Sequence, residues 1–158
     1  MSAGLGTASP LAATGFLSPG TERPSASPAV PDQTVAAACR AFAAQPLQVA
    51  HARLFVAGVL SGCSVSADIV LCVSELASNA VLHSNSRAPG GQFVVRAWIS
   101  AVGRIRAEVE DRGGPWAPGT AEDEERGRGL IIVAALATRW GITGSEAGRV
   151  AWLEFDPA

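Results

Sequence analysis

Two neighbouring stretches of alternating apolar and polar residues restrict the fold most strongly. Residues 93–100 and 104–110 alternate with a period of two, and Val102-Gly103 between them suits a tight turn. The second stretch separates its apolar and charged residues onto opposite faces of a strand, with Ile105, Ala107 and Val109 against Arg106, Glu108 and Glu110. The pattern predicts an antiparallel hairpin with one face towards a core.

Three helices and further strands are expected around this hairpin. Pro46 suits the first turn of a helix that continues to about residue 60, and Ser64 or Ser66 would cap a second helix at 67–84. A third helix at 127–139 is apolar on all sides, so we expect it to be buried against the sheet. The remaining strands are expected at 36–43, 140–143 and 149–155. This order predicts the α+β class: a two-layer sandwich with a mixed, mostly antiparallel sheet and helices on one face.

The first 31 residues differ in composition from the rest. They are rich in Ser, Pro, Gly and Ala and lack apolar periodicity, which predicts a disordered tail before one domain at 32–158. No secretory signal is evident, because the first basic residue is Arg23. The uncharged stretch 54–67 is too short and too polar to span a bilayer. We therefore expect a cytoplasmic chain without membrane contact.

Charge and residue usage exclude several function classes. The net charge is −2, and all 12 basic residues are arginine. Without a broad basic field, direct nucleic-acid binding is not expected. Without lysine there is no P-loop, Schiff-base or kinase-strand lysine. The three cysteines form no CxxC pair, which favours buried thiols in a reducing compartment.

Two polar clusters come before the predicted third helix. Glu75, Asn79 and His83 recur every four residues and share one face of the second helix, either as a solvated stripe or as part of a site. Asp111 follows a strand and precedes Gly113, so its carboxylate could accept hydrogen bonds from a base or close an Asx turn.

A third cluster, Gly127-Arg128-Gly129, is expected just before the third helix. Free N–H groups at a helix start, together with Arg126 and Arg128, would suit an anion. The acidic run 122–125 upstream is most simply a solvated loop, which could also gate the site.

Together these segments resemble the Bergerat-fold ATPases. Glu75-Leu-Ala-Ser-Asn79-Ala-Val-Leu-His83 is similar to the N box of that superfamily, Asp111-Arg-Gly113-Gly114 to its first glycine box, and Gly127-Arg-Gly129-Leu130 to its second. The run from Gly129 to Gly141 and the ending Gly148-Arg-Val-Ala-Trp152 most resemble the anti-sigma-factor serine kinases and their actinobacterial relatives.

The resemblance implies roles for the matching residues. Asn79 would coordinate Mg²⁺, and Glu75 would be the general base for an attacking hydroxyl. Asp111 would bind the adenine amino group of ATP, with Gly113 against the base. The remaining nucleotide-binding residues would be His83, Gly127, Arg128, Gly129 and Leu130.

Two functions follow from the resemblance. The chain would be an ATP-binding regulator that transfers the γ-phosphate to a serine or threonine of a protein partner, which would be an anti-sigma-antagonist-like domain and would link the reaction to a sigma factor. Alternatively, it would be an ATP-binding protein-interaction module without kinase activity. An exposed sheet edge or the first helix could also support a homodimer.

Overall fold

The computed structural model describes residues 33–114 and 123–157, so the predicted tail and residues 115–122 lie outside the described residues. The described elements form a single layer of helices over one sheet. In chain order they are β1 (Thr34–Ala43), α1 (Pro46–Val59), α2 (Ser66–His83), a 3₁₀ turn (Asn85–Arg87), β2 (Gln92–Ser100), β3 (Ile105–Asp111), α3 (Asp123–Leu136), β4 (Arg139–Ser145) and β5 (Gly148–Phe155).

The sheet has five strands in the order β1-β2-β3-β5-β4, and each described pairing is antiparallel. This architecture confirms the predicted α+β sandwich and the predicted β2–β3 hairpin. The pairing of β3 with β5 joins distant parts of the chain and places Asp111 directly opposite Arg149. The last residue of β3 is therefore fixed beside the first residues of β5.

The core lies between the helices and one face of the sheet. Ile105, Ala107 and Val109 are at most 2% exposed, which confirms the predicted core face of β3. α2 covers this face with an apolar side formed by Ile69, Cys72, Val73, Leu76, Ala77, Ala80 and Val81. Burial of this much apolar surface is the main force that holds α2 on the sheet.

The opposite face of the sheet carries a buried charge cluster. Arg106 is 0% exposed, although it lies on the face that is turned away from the helices. Its guanidinium donates to Glu154 Oε1 at 2.9 Å and to Glu108 Oε1 at 2.7 Å, and stacks 4.7 Å from the ring centre of Trp152. Cross-strand neighbours on β5 thus enclose a side chain that the alternation alone would leave in solvent.

α3 departs from the prediction in two ways. Its bounds differ, because it begins at Asp123, four residues before the predicted start at 127, and ends at Leu136, three residues before the predicted end at 139. It is also not buried on all sides, because Val133 is 0% exposed but Ile131 is 67% exposed. The helix packs mainly against α2, at the edge of the helical layer, and this position covers only one of its apolar sides.

Two smaller predictions also need correction. α2 has Val65 at its N-cap position and no side-chain cap, so neither predicted serine caps the helix. Cys39 is exposed because β1 is an edge strand, whereas Cys72 is buried. Burial is the main cause that raises the pKa of Cys72 to about 11, which makes it an unreactive core thiol. None of the helices in the described ranges is long and apolar enough to cross a bilayer.

Arg106→Met should destabilise the chain by about 3 kcal/mol, the lower end for a broken buried ion pair. The carboxylates of Glu108 and Glu154 lose the buried cation that they share, although Glu154 keeps its 2.8 Å contact with the 42%-exposed Arg139. Arg104→Met is the matched control: Arg104 pairs with Asp156 at 2.7 Å, but its side chain is 44% exposed, so we expect a loss of at most about 1 kcal/mol. Urea denaturation measures both losses. Equal losses in the two variants would show that the buried Arg106 cluster contributes no more to stability than an exposed ion pair.

Candidate functional site

A small cavity lies between α2, the N-terminal half of β5 and the end of β3. It has a volume of about 50 Å³. Four predicted site residues line it, namely Asn79, His83, Asp111 and Leu130. The rest of the wall consists of Arg149 and the apolar residues Leu76, Val109, Ile142 and Ala151. Residues as far apart in the chain as Leu76 and Ala151 thus line one cavity, and its mostly apolar lining is the usual composition of a ligand site.

The polar stripe of α2 is not a solvated face. Glu75, Asn79 and His83 are all partly buried. Asn79 and His83 face the cavity, and Glu75 packs against α3. A Cβ atom added at Gly129 would lie 2.8 Å from Glu75 Oε2. Gly129 therefore allows α3 to approach the Glu75 carboxylate closely.

Asp111 closes an Asx turn and also faces the cavity. Its Oδ1 accepts a hydrogen bond from the Gly113 N–H at 2.6 Å. The Arg149 Nε–H is directed at the same oxygen from 3.4 Å. Burial raises the pKa of Asp111, and Arg149 and the Gly113 N–H partly offset this effect. The two interpretations of Asp111 are compatible, because the Asx turn uses one carboxylate oxygen and leaves the other.

The first glycine box is held in place by the protein itself. Gly113 has a φ of 67° and Gly114 a φ of 122°, which favour glycine. A Cβ at Gly113 would collide with the carbonyl group of Glu146 in the β4–β5 turn. The Gly114 N–H donates to that carbonyl at 2.8 Å, and the Asn85 N–H donates to the Gly113 carbonyl at 2.8 Å. Hydrogen bonds thus hold the loop between the β4–β5 turn and the 3₁₀ turn that follows α2.

The second glycine box lies inside α3 rather than before it. Because α3 begins at Asp123, Gly127 and Gly129 fall after the first four N–H groups, which are the free ones in an α-helix. The predicted placement of these glycines at a helix start is therefore wrong. Arg128 is exposed, and Leu130 reaches the cavity.

Arg149 was missed in the sequence analysis. It donates to the Gly113 carbonyl at 3.2 Å in addition to its contact with Asp111. Its segment, residues 148–152, was recognised by resemblance but gave Arg149 no role, because the contacts of this side chain come from the β3–β5 register. The contact between Arg149 and Asp111 could have been predicted only from the order of the strands in the sheet.

Comparison with known proteins identifies the family and the fold of the chain. A family model for the histidine kinase-like ATPase domain matches residues 42–155. The solved RsbU and RsbW domains of Rv1364c from Mycobacterium tuberculosis align with a TM-score of 0.59 and 25% identity, over 75% of this chain and 32% of that chain. The solved SiaB-SiaC complex from Pseudomonas aeruginosa aligns with a TM-score of 0.51 and 12% identity, over 78% of this chain and 90% of that chain, a likeness of fold.

The family match covers well over half of the sequence. The chain therefore belongs to the histidine kinase-like ATPase domain family. Membership implies an ATP-binding site, and four of the predicted nucleotide-binding residues, Asn79, His83, Asp111 and Leu130, line the cavity between α2, β3 and β5. The chain spans about a third of the Mycobacterium tuberculosis protein that it matches.

Asp111 should give the folding stability a pH dependence of definite sign. Its pKa is raised in the folded chain, so the folded state keeps the proton to higher pH than the unfolded state. Ionisation of Asp111 therefore lowers stability as the pH rises through the folded pKa. Asp111→Asn lacks this ionisable group, so its stability does not fall in this way. The free energy of unfolding of the variant, minus that of the wild-type chain, should therefore rise between about pH 3 and about pH 7. Urea denaturation across this range measures the difference, and a flat or falling difference would contradict the assignment.

Proposed function

We propose that the chain is an ATP-binding regulatory protein that transfers the γ-phosphoryl group of ATP to a serine or threonine hydroxyl of a partner protein. The observation that carries the proposal is the meeting of Asn79, His83 and Asp111 around one cavity, with Glu75 one helical turn away. The RsbW domain in the Mycobacterium tuberculosis structure supports the anti-sigma-factor-kinase type.

The cavity suits the base of ATP. Its apolar walls, with Val109 and Ala151 on the sheet and Leu130 on α3, would cover the faces of an adenine ring. The Asp111 carboxylate, when ionised, only accepts hydrogen bonds, and the adenine amino group donates them. The volume of about 50 Å³ is far below the roughly 300 Å³ or more of a complete small-molecule pocket, so the phosphates would extend out of it.

Asn79 is the residue that fits Mg²⁺. Its amide oxygen is a hard ligand on the cavity wall, and Mg²⁺ commonly takes one or two protein oxygens together with waters and phosphates. Bound there, the ion would neutralise charge on the phosphates. The fit rests on this single donor, which lies on the wall of the cavity from which the phosphates would extend.

Glu75 is the candidate general base. Its carboxylate is partly buried at the α2–α3 contact, within one turn of Asn79 on the same side of the helix. In the proposed reaction it accepts the proton of the partner's hydroxyl while that oxygen bonds to the γ-phosphorus and ADP leaves. We propose a cytoplasmic setting for this reaction, since it consumes ATP.

The partner would be an anti-sigma-antagonist-like domain, with a sigma factor released or held in response. The alternative function is a binding module in which ATP only shapes a protein-binding surface. A carboxylate at the Glu75 position favours the kinase, because a module that only binds ATP needs no base there.

Homodimer formation is part of the proposal. Within the described residues, β1 is an edge strand that carries only one charged side chain, Arg40, and lacks the lysines or prolines that commonly protect such edges. Val35 on β1 and Leu47 and Leu54 on α1 are each at least 66% exposed. We therefore expect twice the chain mass in sedimentation equilibrium, and Ala38→Pro, which places a proline in this edge, should restore the monomer. A wild-type chain that stays monomeric at high concentration would contradict this part.

The two functions are separated by a pair of variants. Glu75→Ala should keep its ATP affinity and lose phosphotransfer by about 10²- to 10⁴-fold, because a general base acts in the transition state. Asn79→Ala should weaken ATP binding only when Mg²⁺ is present. Calorimetry with and without Mg²⁺ and transfer of labelled phosphate to a co-purified partner measure these effects.

Asp68→Ala is the control, since it removes an exposed carboxylate from the first turn of the same helix. This variant should leave both the ATP affinity and the phosphate transfer to the partner unchanged. A wild-type chain that binds ATP and its partner but transfers no phosphate, with Glu75→Ala indistinguishable from it, would favour the binding module over the kinase.

A further inference from the structure

Arg149 contacts both Asp111 and Gly113, the two residues that are expected to bind the base of ATP. It stands opposite Asp111 in the β3–β5 register, and its side chain is 17% exposed. One guanidinium nitrogen, Nε, is 3.4 Å from Asp111 Oδ1, and another, Nη2, is 3.2 Å from the Gly113 carbonyl oxygen. A single side chain on β5 thus contacts both the last residue of β3 and the glycine box that follows it.

These contacts restrict the Asp111 carboxylate. Oδ1 is approached by two donors from different elements, the Gly113 N–H and the Arg149 Nε–H. Gly113 is itself fixed, because its carbonyl also accepts from Asn85 N–H. Within the described residues, the hydrogen bonds to Asp111 all end on Oδ1, so Oδ2 keeps its acceptor capacity for a ligand.

We propose that Arg149 is a positioning residue for base recognition: it holds Oδ1 of Asp111 and thereby directs Oδ2 to the exocyclic amino group of the bound base. The inference rests on the proposed function, since it requires that the cavity binds a nucleotide. It assigns to Arg149 an action through Asp111 and not a contact with the reacting phosphate.

The two contacts require an arginine. A planar guanidinium presents several N–H groups in a fixed fork, so it can donate to a carboxylate and a carbonyl at the same time. A lysine ammonium would keep the charge but hold the two acceptors with less geometric definition. An apolar side chain would leave Asp111 half-buried with only the Gly113 N–H as its donor among the described residues.

The surrounding charges agree with this role. Burial raises the pKa of Asp111, Arg149 is the main influence in the opposite direction, and Glu110 on the same strand adds to the rise. His83 of α2 lines the same cavity, as does the uncharged Asn79. Arg149 therefore favours the ionised form of Asp111, which is the form that accepts from an amino group.

The test compares two ligands on the full chain. ATP carries the 6-amino group, and purine riboside triphosphate lacks it. Calorimetry with Mg²⁺ should show that the wild-type chain binds ATP more tightly by roughly 10- to 150-fold, the range for a hydrogen bond to a charged group. In Arg149→Met this ratio should fall by roughly 10-fold, while the affinity for the analogue changes by less than about twofold.

Two further variants make the result specific. Arg104→Met is the matched control, because Arg104 Nε also donates to an aspartate oxygen, Asp156 Oδ1 at 2.7 Å, and lies outside the cavity lining beside the other end of β3. It should keep the wild-type ratio. Arg149→Lys should give an intermediate ratio, and it carries the test alone if Arg149→Met does not fold.

The outcomes separate the inference from the proposed function. A wild-type chain that binds neither nucleotide refutes the proposed function, and the inference falls with it. A wild-type chain that prefers ATP, with Arg149→Met and Arg149→Lys weakening both ligands equally, refutes the inference alone and assigns Arg149 a purely structural role. Loss of the ATP preference in the Arg149 variants, with the preference unchanged in Arg104→Met, supports it.

Discussion

The packing of α2 against the sheet is the constraint on which both the fold and the site depend. Seven apolar residues of this helix are buried, and their burial fixes how the helix is rotated about its axis. Once that rotation is fixed, residues four apart on the remaining side have determined directions. Glu75 then meets α3, and Asn79 and His83 meet the cavity. A core substitution that rotates α2 would therefore disturb the site before it disturbs the fold.

The sequence predicted best what depends on short-range pattern. The alternation around residues 93–110 and the four-residue spacing on α2 correspond to β2, β3 and a helix with a polar side. The start of α3 was predicted wrongly because an acidic run fits two structures equally well. Solvated loops favour charges, and so does the first turn of a helix, where carboxylates interact well with the helix dipole. Asp123 to Glu125 are in the first turn, and local composition has no means of choosing between the two.

What could not be predicted depends on long-range pairing. Asp111 and Arg149 lie 38 residues apart, and no turn signal connects β3 to β5. The sequence therefore indicated an Asp beside a glycine loop but gave no partner for it. The burial of Arg106 has the same origin, since its enclosing residues Glu154 and Trp152 also come from β5. Likewise, the need for glycine at 113 was ascribed to a ligand, whereas the Glu146 carbonyl of the chain already requires it.

The arginine–carboxylate contacts of Arg106 and Arg149 lie on opposite faces of the sheet and have different roles. Arg106 is enclosed by Glu108 and Glu154, with short hydrogen bonds to each, which is a closed structural arrangement. Arg149 holds Asp111 more loosely, at 3.4 Å, and burial keeps the pKa of that carboxyl raised. The carboxylate is thus desolvated before any ligand arrives, so a donor group that enters the cavity gains a hydrogen bond without further desolvation of its acceptor. The stability that is lost by burying an incompletely paired Asp111 is returned when such a donor binds, and this links ligand binding directly to the stability of the β3–β5 pair.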